Sequence, residues 1–239
     1  MQKEILDRLL EARAAKRPCA LLRWLGNGKE ALVVDGQVSV GEVPAEAQGA
    51  IAEALRRDKG TTLETAAGPL FIQVFNPPLR LLVVGAVHIA QALVPIAAIA
   101  GYDVTVIDPR RAFASDARFP GVHVRQDWPD EALEELRPDA RTAVVTLTHD
   151  PKLDDPALDI ALRSEAFYIA ALGSRRTHAA RRERLAALGH DAPTMGRIHG
   201  PAGLALGAVS PAEIAIAVMA EMTRTLRQPP EASSAGFSS

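Results

Sequence analysis

The order of helix-like and strand-like apolar patterns along this chain changes near residue 77. Before it, Ile5, Leu6, Leu9 and Leu10 recur at helical spacing and predict a helix over residues 3–15. Short apolar segments separated by Gly, Asn and Asp follow, which is typical of strands joined by tight turns. Strands are predicted over 19–24, 30–34, 37–40, 61–65 and 70–75, the last two paired around Gly68-Pro69, with a helix over 45–57. Together they predict a small α+β domain over residues 1–76.

After Asn76-Pro77-Pro78, a linker candidate because proline cannot continue a helix or ladder, strand and helix patterns alternate. This alternation predicts an α/β, Rossmann-like domain over residues 77–227, in which helices cover both faces of a parallel sheet. Residues 228–239 are rich in Pro, Ser and Gly and predict a disordered tail. The predicted strands are 80–84, 103–107, 122–124, 142–147 and 167–172, and the predicted helices are 88–100, 129–136, 155–164, 175–188 and 211–226.

Composition narrows the classes of protein that fit this pattern. The 239 residues carry a formal net charge of −2, which gives no support for nucleic-acid binding. Cys19 is the single cysteine, so no disulfide framework or cysteine-rich zinc site is expected, and its strand pattern predicts a core position. The longest apolar run, Ile89 to Ala100, is too short to span a bilayer, and no signal peptide pattern is present. We therefore expect a soluble, cytoplasmic protein without a metal site.

The stretch from Leu81 to His88 predicts a buried strand, a tight glycine turn at Gly85 and the start of a helix. A second strand ends in Asp108 about twenty residues later, as in a nucleotide-binding βαβ unit. The dinucleotide fingerprint Gly-x-Gly-x-x-Gly is incomplete, because Val87 and Ala90 occupy its second and third glycine positions. This departure argues against ordinary NAD binding, since a β-branched side chain obstructs the approach of a pyrophosphate.

Candidate binding residues follow the predicted strands, where ligands of doubly wound sheets bind. Gly173 and Ser174 precede a helix whose first turn carries Arg175 and Arg176, which predicts a phosphate or pyrophosphate site. The full predicted set comprises Gly85, Ala86, Val87, His88, Asp108, Arg110, Thr148, His149, Asp150, Gly173, Ser174, Arg175 and Arg176.

Each candidate also has a structural explanation. Gly85 could serve only the turn, and His88 or Asp108 could cap a helix or a turn. His149-Asp150 could be a plain turn. The helix that begins at Arg175 also contains Arg181, Arg182 and Arg184, and an arginine run of this kind is typical of a solvated face.

Several strings in consistent order resemble the XdhC/CoxI family of xanthine dehydrogenase accessory factors. The resemblance covers about residues 79–225, and the family's usual Gly-x-Gly-His loop is Gly85-Ala86-Val87-His88 here. Two stretches common in the family's N-terminal domain, Gly-Ser-x-Pro-Arg and Gly-Gly-Cys-x-Glu, do not occur. The strings are Leu81–His88, Val104–Arg110, Arg118-Phe119-Pro120, Thr148-His149-Asp150 with Asp154, Tyr168–Arg176, and Ile198–Leu204 with Gly207, Pro211, Glu213, Ile214 and Glu221.

The resemblance implies a Rossmann-like fold and a molybdenum-cofactor chaperone rather than an enzyme. It implies that the chain binds the pterin cofactor (molybdopterin), supports its sulfuration and delivers it to an apo molybdenum hydroxylase. A sulfur-donating cysteine desulfurase is an implied partner, and a homodimer is the implied assembly. Two other functions stay open from the residues alone: an NAD(P)-dependent oxidoreductase with His88 or His149 as acid–base, and a scaffold that docks onto a partner enzyme without a ligand.

Overall fold

The computed structural model describes residues 2–115 and 117–228, and the chain divides into two compact units between Pro77 and Pro78. Nearly all of the predicted tail, residues 229–239, lies outside the described residues. The domain boundaries predicted from the sequence, after residues 76 and 227, remain predictions.

The first unit is a five-stranded antiparallel sheet with one helix on each face. Its strand order is β3-β2-β1-β5-β4, and alternation along β1 divides the core, since Cys19 and Leu21 contact α1 whereas Ala20 and Leu22 lie with the α2 residues. The elements are α1 (Lys3–Ala14), β1 (Cys19–Trp24), β2 (Glu30–Val34), β3 (Gln37–Val40), a 3₁₀ turn (Ala45–Ala47), α2 (Gln48–Arg57), β4 (Thr61–Thr65) and β5 (Gly68–Phe75).

Two boundaries in this unit differ from the sequence prediction. The predicted helix 45–57 begins with the 3₁₀ turn, and regular α-helix starts only at Gln48. Gly68 and Pro69 belong to β5 instead of the turn, which is formed by Ala66 and Ala67. Proline is tolerated at the beginning of a strand, where its missing N–H removes no essential ladder bond.

The second unit is the α/β Rossmann-like fold predicted from the sequence. Its six strands are all parallel, in the order β11-β10-β9-β6-β7-β8. The elements are β6 (Leu79–Val84), α3 (His88–Ile99), β7 (Tyr102–Ile107), β8 (His123–Arg125), α4 (Pro129–Leu136), β9 (Thr142–Thr146), α5 (Pro151–Arg163), β10 (Tyr168–Ala171), α6 (Arg175–Ala187), α7 (Ala192–Met195), β11 (Ile198–His199) and α8 (Pro211–Arg227).

Helices cover both faces of this sheet. Leu81 and Val83 of β6 point to the face covered by α3 and α8, whereas Leu82 and Val84 point to the face covered by α4 to α7. The central strands are apolar on both sides, so they are uninterrupted apolar runs in the sequence. Among the described residues, no helix has the length and apolarity needed to cross a membrane.

Helix α5 begins four residues before its predicted start at residue 155. Asp150 caps it, since its Oδ1 accepts the N–H of Lys152 at 2.9 Å, and Pro151 occupies the first turn, where a missing N–H is harmless. Apolar periodicity does not detect this polar first turn. The predicted start of α8 is confirmed: Ser210 and Glu213 form a reciprocal capping box.

Candidate functional site

Four loops meet at the carboxyl edge of the parallel sheet, and they carry every residue that the sequence predicts for the site. They follow β6, β7, β9 and β10. Strand β6 lies between β7 and β9, so the chain leaves β6 toward one neighbour and later returns on its other side. The loops after β6 and β9 therefore flank the topological switch point, the usual ligand position in open α/β sheets.

Gly85 is the residue at which the first of these loops touches the third. Its φ is +110°, and a Cβ at this position would lie only 2.7 Å from Cγ2 of Thr148. Both the backbone conformation and the close approach require glycine here. The turn therefore requires Gly85 for structural reasons alone. The close approach at Gly85 also places the loops after β6 and β9 in direct contact.

Ala86 and Val87 close the loop that a dinucleotide would occupy. The N–H of Ala86 donates to Oδ2 of Asp108 at 2.9 Å, so this donor is already paired within the protein. Val87 is the N-cap of α3, has no side-chain cap hydrogen bond and is half-buried, while the His88 side chain after it is exposed. The start of α3 therefore lacks the open, glycine-lined approach that a pyrophosphate needs.

Asp108 is fully buried, and its carboxylate accepts hydrogen bonds from two neighbouring residues. Besides Ala86, Arg110 donates its backbone N–H (3.0 Å) and Nε (2.9 Å) to Oδ1 and its Nη2 (2.7 Å) to Oδ2. Burial acts to raise the pKa of Asp108, but the bonds from Arg110 and Ala86 outweigh it and hold the pKa below its ordinary value. The acid thus fixes the loops after β6 and β7, and the partly exposed Arg110 covers it.

The loop after β9 is held by an acid that follows it, Asp154. Its carboxylate accepts hydrogen bonds from the Thr148 hydroxyl (2.7 Å), the Thr148 N–H (3.3 Å) and the His149 N–H (3.1 Å). His149 adopts a left-handed conformation with φ of +63° and an exposed side chain. With Asp150 capping α5, His149 is the member of the predicted trio that presents an uncommitted side chain.

Arg181 is buried, which corrects the expectation that the arginine run of α6 is solvated. Its Nη2 donates to the carbonyl of Leu172 at 2.9 Å and lies 3.6 Å from Oδ2 of Asp154. Its Nε and Nη1 have no hydrogen-bond partner among the described residues. Helical side chains lean toward the N-terminus, so this guanidinium reaches back beneath the first turn of α6.

Burial shifts the pKa values of both Asp154 and Arg181. It raises the pKa of Asp154 above its ordinary value despite the bonds from Thr148, and it lowers the pKa of Arg181. The pair links the loop after β9 to the loop after β10. Sequence reasoning missed Arg181, and the available signal was its position seven residues after the helix cap, on the face that also buries Leu185.

The start of α6 has the properties of an anion site. Ser174 is the N-cap, and its Oγ accepts the N–H of Thr177 at 3.2 Å. The N–H groups of Arg175 and Arg176 have no intrahelical acceptor, as at any helix start. Both side chains are exposed, and neither forms an ion pair with a described residue. Cations at a helix N-terminus are unfavourable unless an anion lies beside them.

A metal centre has no support among the described residues, in which no group of three or more His, Cys, Asp or Glu side chains is placed to hold an ion. The arrangement instead suits hydrogen bonding to a polar, anionic ligand. Arg175, Arg176 and the N–H groups at the start of α6 are the donors on one side, and two exposed histidines lie at the same sheet edge: His88 at the start of α3 and His149 in the loop after β9.

Comparison with known proteins places the second unit in a described family. The family model of the XdhC Rossmann domain matches residues 81–222. A protein of Bacillus subtilis named as a probable xanthine dehydrogenase subunit is 32% identical over 160 residues, 66% of this chain and 46% of that protein. The molybdenum cofactor insertion chaperone PaoD of Escherichia coli is 32% identical over 148 residues, 62% of this chain and 40% of that protein.

A crystal structure of a xanthine dehydrogenase from Bacillus halodurans has a similar fold. The TM-score is 0.67 at 24% identity, and the match covers 97% of this chain and 65% of that one. The chain spans less than half the length of the two curated relatives.

Proposed function

The chain belongs to the XdhC family through its Rossmann domain, and we propose that it binds the molybdenum cofactor. In this proposal it also assists insertion of the cofactor into a molybdenum hydroxylase of the xanthine dehydrogenase type. A relative at 32% identity is named as a molybdenum cofactor insertion chaperone, and another as a probable subunit of xanthine dehydrogenase. The cofactor is the cargo in this proposal, and the protein's task is to hold and release it.

The observation that carries the proposal is the start of α6. A molybdenum cofactor presents a phosphate, and this helix start offers free N–H groups, the Ser174 hydroxyl and two exposed guanidinium groups. Arg181 lies behind them, and its Nε and Nη1 have no hydrogen-bond partner among the described residues. Asp154, 3.6 Å away, balances its charge, so the exposed guanidinium groups and the N–H groups supply the attraction for an anion. This group of donors is better explained as a site for a bound anion than as an ordinary solvent-exposed surface.

The remaining loops supply orientation and polar contacts. Asp108 fixes Ala86 and Arg110, and Asp154 fixes Thr148 and the backbone of His149. His88 and His149 then remain as exposed side chains for hydrogen bonds to the polar edge of a pterin. In this scheme the buried acids position the loops, while the histidines and arginines contact the ligand.

The test is retention of molybdenum cofactor released from a donor enzyme, measured after gel filtration by the fluorescence of the oxidised pterin. We expect stoichiometric retention by the unmodified chain and loss in the variant Arg175→Ala, Arg176→Ala. Each lost charge-assisted hydrogen bond should cost about 1.5–3 kcal/mol of binding free energy, or about tenfold to a hundredfold in affinity. Arg182→Ala, an exposed position on the same helix, is the matched control and should retain the cofactor.

Equal retention of the cofactor by the double variant and the unmodified chain would show that Arg175 and Arg176 do not bind its phosphate. Absence of retention by the unmodified chain would reject cofactor binding. Saturable binding of NADH in that case would favour the oxidoreductase alternative, and the absence of both would favour the scaffold.

The proposed partners follow from the same family membership. They are the apo molybdenum hydroxylase, which receives the cofactor, and a cysteine desulfurase, which supplies sulfur. A homodimer in the cytoplasm is the proposed assembly. Co-purification with each candidate enzyme and light scattering of the purified chain test these proposals separately.

A further inference from the structure

Three titratable side chains form a second cluster on β10, β11 and α8. Tyr168 begins β10, His199 ends β11, and Glu221 projects from α8. Oε2 of Glu221 accepts the Tyr168 hydroxyl at 2.7 Å and the Gly203 N–H at 2.9 Å. Its Oε1 lies 3.1 Å from Nδ1 of His199. The cluster shares no residue with the anion site, and the proposed function so far makes no use of it.

The carboxylate of Glu221 determines which nitrogen of His199 carries the proton. Burial acts to raise the pKa of Glu221, but the bonds from His199 and Tyr168 hold it below its ordinary value, so the group remains a charged acceptor. An acceptor at Oε1 requires hydrogen on Nδ1. In the neutral imidazole, Nε2 therefore carries a lone pair.

Nε2 of His199 is available to a ligand. The side chain is 30% exposed, and no described residue forms a hydrogen bond with Nε2. The ring is held from one side by Tyr168, whose ring centroid lies 4.7 Å away. A histidine oriented by a buried acid, with its other nitrogen free, is the usual arrangement of a hydrogen-bonding, basic or metal-binding imidazole.

The loop after His199 is packed against the helix that forms the anion site. Gly200 lies so close to His178 of α6 that any side chain at this position would overlap the His178 ring. The N–H of Ala202 donates to the carbonyl of Ala171, at the end of β10, at 3.1 Å. The backbone after His199 and the start of α6 at Ser174 are therefore parts of one packed region.

We propose that Nε2 of His199 is a second binding contact, which accepts a hydrogen bond from an N–H group of the cofactor's pterin ring. This inference rests on the proposed function and adds to it a contact with the heterocycle that is distinct from those proposed for His88 and His149. Metal binding is the weaker interpretation, because the described residues contain no group of three potential ligands. The groups that face His199 are Glu221 of α8, Tyr168 of β10 and, through Gly200, His178 of α6, and Arg224 of α8 lies 3.8 Å from Oε1 of Glu221.

The experiment uses two probes with the full chain: unsubstituted pterin, which lacks a phosphate, and inorganic phosphate. Equilibrium dialysis read by pterin fluorescence should show pterin binding by the unmodified chain and about three- to tenfold weaker binding by His199→Leu, the range expected for one lost neutral hydrogen bond. His199→Gln should retain part of the affinity, because its amide oxygen can accept the same bond. Phosphate binding should be unchanged in both.

Matched controls separate this contact from a general structural effect. His190→Gln alters a histidine whose Nε2 already contacts Asp159 at 2.6 Å, so it should leave pterin affinity unchanged. Tyr168→Phe removes another bond to Glu221 and should lower the melting temperature without an equal loss of pterin affinity. Glu221→Gln should weaken pterin binding, since an amide does not enforce the same tautomer.

The outcomes distinguish the two proposals. Failure of the unmodified chain to bind pterin, or equal pterin affinity in His199→Leu, would overturn this inference even if the cofactor is retained. Pterin binding that depends on His199, without retention of the whole cofactor, would support the contact and reject the proposed function. Arg175→Ala, Arg176→Ala should lose phosphate binding and keep pterin binding.

Discussion

Two helix starts at the same sheet edge differ in what they leave free for a ligand. At the start of α3, the Ala86 N–H is paired with Asp108, the cap residue is Val87, and the acid that would meet a ribose is covered by Arg110. At the start of α6, by contrast, Ser174 caps one N–H, while the N–H and guanidinium groups of Arg175 and Arg176 have no partner within residues 2–115 and 117–228.

The loop with the most recognisable sequence is thus the one in which the protein's own groups occupy the hydrogen-bonding positions that a ligand would need. The strand–glycine–helix pattern at Gly85 marks the fold, whereas the free binding capacity lies at α6. The cations beside the two buried acids differ in the same sense. The Arg110 guanidinium donates two hydrogen bonds to Asp108. Asp154 has three other donors, and the Arg181 guanidinium lies 3.6 Å from it with two nitrogen atoms that lack a hydrogen-bond partner among the described residues.

The largest expected effect concerns Arg181, on the α6 side. Arg181→Met leaves Asp154 buried without its cation, and we expect the free energy of unfolding to fall by about 3 kcal/mol in urea denaturation. The double variant Arg181→Met, Asp154→Asn should recover part of this loss, because it removes the buried charge. Arg182→Met is the exposed control. Full stability of Arg181→Met would mean that the guanidinium does not compensate Asp154.

Gly85 tests the α3 side. Gly85→Ala should lower the free energy of unfolding by about 1–3 kcal/mol from backbone strain alone, and by more because Cβ meets Thr148. Gly101→Ala is the matched control, since Gly101 also has a positive φ, +87°, but nothing within 4 Å of the added Cβ. The difference between the two variants measures the clash. Equal losses would show that the loop after β9 moves away freely.

Acid titration should separate the two acids by the sign of their contribution. The folded pKa of Asp108 is lowered, so its stabilising contribution is present above the ordinary value near 4 and is lost as pH falls through the folded pKa. The folded pKa of Asp154 is raised, so its charged form opposes folding above that pKa, and the penalty disappears as pH falls.

Carbon-13 NMR of the side-chain carboxyl groups measures both values directly. Asp108 should titrate below the ordinary aspartate range and Asp154 above it, and a tenfold change in proton affinity corresponds to about 1.4 kcal/mol. In urea denaturation, the stability lost in Asp108→Asn at neutral pH should shrink at acid pH. A reversed order of the two carboxyl titrations would contradict the comparison.

The smallest effect is expected for Val87→Gly, which restores the second glycine of the dinucleotide fingerprint. NADH affinity, followed by tryptophan fluorescence, should not increase, because the Ala86 N–H and the Asp108 carboxylate remain occupied. Stability should change by less than about 1 kcal/mol, since glycine is tolerated at a helix N-cap. A gain of saturable NADH binding would show that Val87 alone closes the loop.

Local patterns identified most of the second unit. The central strands were predicted within two residues of their observed ends, since they are apolar on both faces, and α8 was predicted to begin at residue 211, where it does begin. Strand β11 and helix α7 were missed because elements of two and four residues are too short to show a period. The first turn of α5 was missed because it is polar.

The sequence predicted which residues lie near one another in the candidate site, but not which hydrogen bonds each of them makes. Parallel strands bring their carboxyl ends to one edge, so residues following separate strands were expected to meet there. No periodic pattern in the sequence predicts the hydrogen bond between Asp108 and Ala86, 22 residues apart, or the burial of Arg181.

The alternation of elements, the glycine turn at Gly85 and the start of α6 after Gly173-Ser174 were predictable from the sequence, because each depends on residues close together in the chain. Which polar groups are hydrogen-bonded within the protein and which remain available to a ligand became visible only in the folded chain. Hydrogen-bond partners of buried charges are set by the order of strands in the sheet and by which loops that order brings into contact.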